Sequence, residues 1–259
     1  MSLSRTNNDR SRLKDNAPLI IIAISILAAW QIAAMLINMR HILPAPTDVI
    51  VSIWDMRESL FLHHLPSTFI TVIAGWGLSI AVGILLALAM HFSEHLEAML
   101  KPLLIITQTI PVMCISPLFV LWLGYTLQAR LLAVLMSTFF AITLNTYEGL
   151  RSADIRKKEY LMTCGASKKD IFFMLEIPSA VPGFFTALKM TLPWAVIDAA
   201  VAEWLGATEG LGYLSKRMVS RLDGGAVFAP VVILCVVSLI GMAIIKHIDK
   251  KYITWRSEV

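Results

Sequence analysis

Six apolar runs of about 20 residues each constrain this chain more than any other feature of its sequence. A helix needs about 20 apolar residues to cross the hydrocarbon core of a bilayer, because each residue advances the helix by roughly 1.5 Å. Only 15% of the residues are charged, whereas ordinary soluble domains contain about 25%. We therefore expect an all-α membrane protein with six transmembrane helices, at residues 18–37, 68–91, 103–123, 130–147, 183–204 and 227–247. The third of these should be broken by Pro111 and Pro117.

Lysine and arginine are distributed unequally between the two sides of the membrane that six crossings would define. The two tails, the loop before the third run and the loop between the fourth and fifth runs hold 15 of them, and the other loops hold six. Short loops that are rich in these residues stay in the cytoplasm. Both tails, residues 1–17 and 248–259, are therefore expected in the cytoplasm, on either side of a single transmembrane domain at 18–247.

The longest polar interruption, residues 156–182, is expected to form two short helices that meet at a glycine; we call it the hook. Apolar residues recur at helical spacing up to Gly165, which breaks the pattern. Ser167 is placed to cap a second helix with Asp170 in its first turn, and Pro178 should end that helix. Such a ridge beside lysines is typical of a partner-binding surface, and a loop lying on lipid headgroups is the alternative. The apolar face of the second helix would comprise Ile171, Phe172, Met174 and Leu175.

The spacing of Glu159, Gly165 and the segment 175–178 resembles the EAA loop of ABC-importer permeases. In that family the loop forms a coupling helix that sits in a groove of the ATPase subunit. This chain departs from the pattern at Tyr160 and Leu161, where the family has two alanines. The resemblance implies the following ATPase-coupling residues: Glu159, Gly165, Ala166, Ser167, Ile171, Leu175 and Pro178.

Further motifs extend this resemblance, over nearly the whole chain, to permeases of the nitrate, taurine and sulfonate importer group. Within that group, two segments, 203–230 and 254–258, are most similar to permeases for the hydroxymethylpyrimidine precursor of thiamine. The resemblance implies a type I ABC-importer permease fold in the bacterial inner membrane, with a cytoplasmic coupling loop at 148–182. The motifs that carry the wider resemblance lie at 43–47, 108–111, 116–118, 121–124, 203–207 and 210–213.

The resemblance also implies partners. Two copies of the chain would assemble in the lipid bilayer with two cytoplasmic ATPase subunits and an extracytoplasmic substrate-binding protein. ATP would be bound by the ATPase, so this chain should hold no cofactor, metal or catalytic site and should not be an enzyme. The sequence agrees, since it lacks a GxxxxGK(S/T) phosphate loop. The net charge of +4 is concentrated in the tails and one loop, which makes nucleic acid an unsuitable partner. The cargo would be hydroxymethylpyrimidine or an analogue, with taurine, an alkylsulfonate or nitrate as the alternative.

Polar residues within the apolar runs are candidates for the translocation pathway, because a charge in the membrane costs roughly 2.5–3.5 kcal/mol on insertion scales. Glu203 could instead bond the backbone of the loop 206–212, and Lys189 could extend towards the interface. An ionised Asp198 near the midplane would repel nitrate or sulfonate, which favours a pyrimidine. That argument fails if Asp198 is protonated or paired with Lys189. The candidate pathway residues are Gln108, Asn145, Asp198 and Glu203.

Two alternatives from other functional classes remain. His91, Glu94 and His95 match the HxxEH pattern of some metalloproteases, but no third ligand is evident, so we expect no metal site there. A secondary carrier that uses Asp198 for proton coupling is the other alternative.

The segment around the second run carries smaller local predictions. A surface helix at 48–61 should be capped by Thr47, and the histidines at 63–64 should be solvated. Gly75 and Gly83 should permit the close approach of a neighbouring helix or of a second protomer.

Overall fold

The computed structural model describes residues 3–253, with side chains described for Pro18 and from Ile21 onward except at position 252. Within these residues every regular element is helical and none is a β-strand, which confirms the all-α prediction. The side chains of the tail 1–17 and the segment 254–258 lie outside the described part. The α-helices are α1 (Leu3–Ile37), α2 (Pro46–Asp55), α3 (Leu65–Phe92), α4 (Glu94–Thr109), α5 (Val112–Leu123), α6 (Leu127–Arg151), α7 (Ile155–Thr163), α8 (Lys168–Ile171), α9 (Ile177–Gly206), α10 (Leu211–Val219) and α11 (Gly224–Tyr252).

Two π-helical turns lengthen the helical segments. One turn, Ser59–His64, leads into α3, and the other, Phe172–Glu176, joins α8 to α9. Within residues 3–253, four continuous helical segments are long and apolar enough to cross a membrane, and α4 with α5 passes the same test as a pair bent by 96°. A shorter apolar helix, Ile21–Ile37, corresponds to the first predicted crossing. The four long segments are Ser59–Phe92, Leu127–Arg151, Lys168–Gly206 and Gly224–Lys251.

Helices α3 and α6 lie side by side and run in the same direction. A Cβ on Gly75 would lie 2.8 Å from Val134 Cβ, and one on Gly83 would lie 2.9 Å from Ile142 Cβ. Only glycine permits this separation, which confirms that these glycines admit a neighbouring helix. The Oγ1 of Thr138 also donates to Ser79, at 2.7 Å. Because α3 and α6 are parallel, the bent pair between them must carry the chain back from one end of the bundle to the other.

The remaining long helices are antiparallel to their neighbours. Gly149 near the end of α6 packs against Ala180 near the start of α9. Gly241 of α11 packs against Leu192 of α9. The bundle therefore has a hook end, where α3, α6 and α11 finish and α9 begins, and a far end, where α9 finishes. At the far end Trp30 of α1 lies 5.9 Å from Phe228 of α11, measured between ring centroids.

Three details of the predicted helix boundaries are wrong, and proline or π-helical geometry explains each. The predicted break of the third run at Pro111 is confirmed, since Pro111 caps α5 after an extended residue, but the predicted break at Pro117 is wrong, because Pro117 stays inside that helix. Pro178 does not end the second hook helix, because the wide π turn before it relieves the clash with the preceding carbonyls. The surface helix α2 is capped by Ala45 and not by Thr47, since Pro46 fits the first helical position. Thr47 instead hydrogen-bonds Gln31 of α1, at 3.2 Å.

Candidate functional site

Gly165 gives the hook its turn. The N–H of Gly165 donates to Met162 and that of Ala166 to Leu161, both at 3.0 Å, which is the bonding pattern of a Schellman C-cap. Gly165 has a φ of +85°, in the region that side-chain-bearing residues rarely adopt. No atom lies within 4 Å of the position that a Cβ would take. Backbone conformation, and not crowding, therefore requires glycine at this position.

The second hook helix begins as the sequence predicts. Ser167 Oγ accepts from the N–H of Asp170 at 3.3 Å, and Asp170 Oδ2 accepts from the N–H of Ser167 at 2.9 Å. This reciprocal pair is a capping box, which satisfies two backbone donors at the start of α8. Ile171 follows and is buried, so it attaches the helix to the bundle.

The apolar ridge of the hook contains only one of the four side chains predicted for the apolar face of the second hook helix. Ile171 is buried, and Phe172 and Leu175 are half-buried, so only Met174 of the predicted face is exposed. The exposed side chains come from both helices, with Tyr160 at 68% and Phe173 at 64% of full exposure. We define the hook ridge as Tyr160, Met162, Phe173 and Met174.

The residues implied by the resemblance divide between the surface of the hook and its base. Glu159, Gly165 and Ser167 are exposed, and Ala166 is half-buried. The other three residues attach the hook to the bundle and do not form its outer surface. Ile171 is buried, and Leu175 and Pro178 are half-buried.

A buried carboxylate that the sequence analysis did not identify lies at the base of the hook. Glu176 Oε2 lies 2.9 Å from His91 Nε2 at the end of α3. Its other oxygen, Oε1, lies 2.8 Å from Lys158 Nζ on α7. The His91 side chain thus contacts Glu176, whereas the side chains of Glu94 and His95 are exposed to solvent. Among the residues that the structure describes, no group of three or more potential metal ligands is assembled.

At the far end Glu203 is fully buried and binds the loop that follows α9. Its Oε2 accepts from the N–H of Gly212 at 2.9 Å and from the hydroxyl of Thr68 at 3.0 Å. Glu203 therefore makes a hydrogen bond to the backbone of the loop 206–212, which the sequence analysis gave as the alternative to a role in the pathway. A Cβ on Gly210, which has a φ of +118°, would collide with this carboxylate. Glu203 would reach a pathway only if this cluster opened.

His64 differs from the expectation of a solvated side chain. It is buried at 8% exposure, and its Nδ1 accepts from the N–H of Gly210 at 3.1 Å. The imidazole thus holds the same loop as Glu203. The sequence carried no signal for this contact, because the two residues lie 146 positions apart.

The remaining pathway candidates lie on three helices and are not brought together within one chain. Asp198 is half-buried on α9. Asn145 donates to the carbonyl of Ala141 at 2.8 Å, as an interior amide commonly does. Gln108 is exposed, close to the bend between α4 and α5.

Lys189 does not pair with Asp198. Its Nζ lies 2.6 Å from Asp249 Oδ2 on α11, and both side chains are mostly shielded. Asp198 therefore has no basic partner among its described contacts. Pairing with Lys189 was one of the two conditions under which Asp198 would not repel an anion, and the structure does not show that pairing.

An open apolar groove of about 650 Å³ runs between α5, α9, α10 and α11. None of the four candidate pathway residues lines it. Exposed apolar side chains of α9 continue along the same face of the bundle, so this surface needs lipid or another subunit to cover it. The groove includes Met113, Ile197, Val201, Trp204, Ser215 and Leu239.

Comparisons with known proteins agree on one family. Residues 79–254 match the sequence profile of the binding-protein-dependent transport system inner membrane component. The chain is 43% identical over 235 residues to the formylaminopyrimidine transport permease protein ThiX of Halalkalibacterium halodurans, with 91% of this chain and 94% of ThiX covered. It is 20% identical to the taurine transport system permease protein TauC of Escherichia coli, with 92% of this chain and 89% of TauC covered.

A solved structure shows the same fold. An inward-facing form of the MetNI methionine ABC transporter contains a chain that superposes with a TM-score of 0.57 at 19% identity, covering 80% of this chain and 97% of that one. At this identity the likeness establishes the fold alone. The type I ABC-importer permease fold is thus confirmed at the level of chain topology.

Proposed function

From the premise that this chain belongs to the family of binding-protein-dependent transport system inner membrane components, we propose that it is the permease subunit of an ABC importer for an aminopyrimidine. The chain is a multi-pass membrane protein, and its relatives are transport permeases and not enzymes. The single observation that carries the coupling role is the hook ridge, which exposes four large apolar side chains on a turn with defined caps. A ridge of this kind fits a groove on a partner protein.

The proposed membrane topology has six crossings. The bent pair α4 and α5 connects opposite ends of the bundle, because α3 and α6 are parallel, and this supports the pair as the third crossing. Helix α1 supplies the first crossing within a transmembrane domain at 18–247. The bias of lysine and arginine supports a cytoplasmic location for the coupling loop, 148–182, and for the tails 1–17 and 248–259.

The proposed assembly contains two copies of this chain, two ATPase subunits and an extracytoplasmic binding protein. The apolar groove and the exposed face of α9 support a second copy, because a pathway for a polar cargo needs walls on both sides. ATP would be bound by the ATPase subunits, and binding of nucleotide would move the hook. The four candidate residues Gln108, Asn145, Asp198 and Glu203 remain predictions for the pathway.

The proposed cargo is hydroxymethylpyrimidine or a related aminopyrimidine. The similarity to ThiX, whose name specifies formylaminopyrimidine, supports this class. An ionised Asp198, half-buried and without a basic partner among its described contacts, would also disfavour an anion. The alternative cargo is taurine, an alkylsulfonate or nitrate, and the similarity to TauC supports it at lower identity.

Uptake by reconstituted proteoliposomes tests this proposal. The vesicles would contain the permease with its ATPase, with the binding protein on the opposite side, and would be supplied with radiolabelled hydroxymethylpyrimidine or taurine. We expect ATP-dependent uptake of the labelled pyrimidine. Unlabelled pyrimidine should inhibit this uptake, and unlabelled taurine should not. Preferential uptake of taurine would establish the alternative cargo. Uptake by the permease alone would instead identify a secondary carrier.

A further inference from the structure

We propose that Glu176 is a positioning residue that makes the hook move as one body with α3 and α9, through its contacts with Lys158 and His91. This inference rests on the proposed role of the hook in binding an ATPase. It concerns how motion of the hook reaches the membrane helices, and it assigns that transfer to one buried carboxylate.

Glu176 joins parts of the chain that are far apart in the sequence. Lys158 lies 18 positions before it and His91 lies 85 positions before it. Only 8% of the Glu176 side chain and 14% of the His91 side chain are exposed. A buried carboxylate that loses a cationic partner is left uncompensated, so the bonded arrangement strongly resists separation.

Helix α7 depends on this contact for its position. None of its residues is buried. Among the described residues, Lys158 makes the only side-chain hydrogen bond or ion pair between α7 and another helical element. Without Lys158, α7 would be tied to the bundle by its two chain connections and by the partial burial of Leu161.

The contact also spans the point where the helix geometry changes. Glu176 is the last residue of the π-helical turn Phe172–Glu176 between α8 and α9. Such turns interrupt the regular hydrogen-bond ladder and often mark functional sites. Phe172 in the same turn packs against the His91 ring, with the ring centroids 5.7 Å apart. The carboxylate and this ring contact together fasten the turn to the end of α3.

Motion of the hook therefore has two routes into the bundle. The continuous helix Lys168–Gly206 carries it directly into α9. The second route runs from α7 through Lys158 and Glu176 to His91, and so into α3. If the second route is lost, the hook can tilt about the π turn without moving α3. A smaller part of the nucleotide-driven motion of the hook then reaches the membrane helices.

Substitution of Lys158 tests the proposal with little risk to folding, because 41% of that side chain is exposed. The permease is reconstituted with its ATPase and binding protein, and hydroxymethylpyrimidine uptake is measured per ATP hydrolysed. We expect Lys158→Met to assemble normally but to lower this ratio by about tenfold, since a charge-assisted hydrogen bond is lost. Lys158→Arg should restore most of the ratio, because it keeps the charge and a donor.

Two further variants separate this role from a general effect of charge. Lys157→Met, on the neighbouring exposed position, should leave the ratio unchanged. Adding Glu176→Gln to Lys158→Met should lower the ratio much less than the product of the single effects predicts, since both remove one contact. The proposal is overturned by a normal ratio in Lys158→Met, by an equal loss in Lys157→Met, or by independent effects in the double variant. Failure of the proposed function would appear separately, as no ATP-dependent uptake by the wild-type complex.

Discussion

Replacement of Gly165 by alanine should weaken ATPase binding through backbone conformation alone. The φ of +85° places this residue where an L side chain costs about 1–2 kcal/mol, and no neighbouring atom adds a steric term. A local cost of that size lowers the equilibrium constant between the native hook and its other conformations by a factor of about 5–30. The apparent affinity for the ATPase should fall by up to that factor, because only the native hook would bind.

The assay is a binding titration of the ATPase against detergent-solubilised permease, after the amount of permease in the membrane has been measured. Gly165→Asn is the matched control, since asparagine tolerates positive φ far better than alanine. It adds a larger side chain yet should bind the ATPase more tightly than Gly165→Ala. Equal binding by the wild type and both variants would refute the reasoning. A weaker asparagine variant would show that the partner packs against the bare backbone, and that strain is not the cause.

Three other predictions follow from the same structure. Asp198→Asn should change pyrimidine uptake and increase the uptake of taurine relative to it, with ATPase binding unchanged; an unaltered uptake profile would make Asp198 a packing residue. Glu203→Ala should lower the free energy of unfolding by about 2–4 kcal/mol, because two buried donors lose their acceptor, and thermal unfolding in detergent would measure this; Glu203→Gln, which keeps an acceptor, should lose less. Cys164, which is exposed in the hook, should react with an impermeant maleimide in inside-out vesicles and not in intact cells, once the other two cysteines are replaced by serine. Labelling in intact cells would contradict the proposed orientation.

Local features of the hook could be predicted because neighbouring residues determine them. Ser167 and Asp170 form a capping box through their own backbone and side chains, and Gly165 terminates a helix through its own φ. Gly165 is also one of the positions that carry the family resemblance. The prediction at Pro178 was wrong because a π turn, which depends on packing around Phe172, has no comparable signature in the sequence.

Contacts between distant residues account for what the sequence could not predict. Glu176 lies within the motif that carries the resemblance, but its partners lie 18 and 85 positions away. His64 was expected in solvent, and it is buried because the loop after α9 folds onto it. Hydropathy identified the apolar runs, but only the parallel packing of α3 and α6 shows that the bent pair returns the chain across the bundle.

The polar contacts between α3 and the continuous helical segment Lys168–Gly206, which contains α9, indicate which part of the chain moves as a unit. Thr68 bonds Glu203 at the far end, Trp76 bonds Thr191 in the middle at 2.9 Å, and His91 bonds Glu176 at the hook end. Because these contacts occur along the whole length of the helices, α3 and α9 cannot slide or splay without breaking at least one of them.

Helix α6 belongs to the same unit, since glycine contacts bring it within backbone distance of both neighbours. The apolar surfaces of α4 and α5 are largely exposed, and these two helices meet at a 96° bend. Motion that enters through the hook should therefore rotate α3, α6 and α9 together against the bent pair and against a second protomer. A pathway that opens by such a rotation would have its gate between these bodies, on the side of α9 where the groove lies, and not within the α3–α6–α9 core.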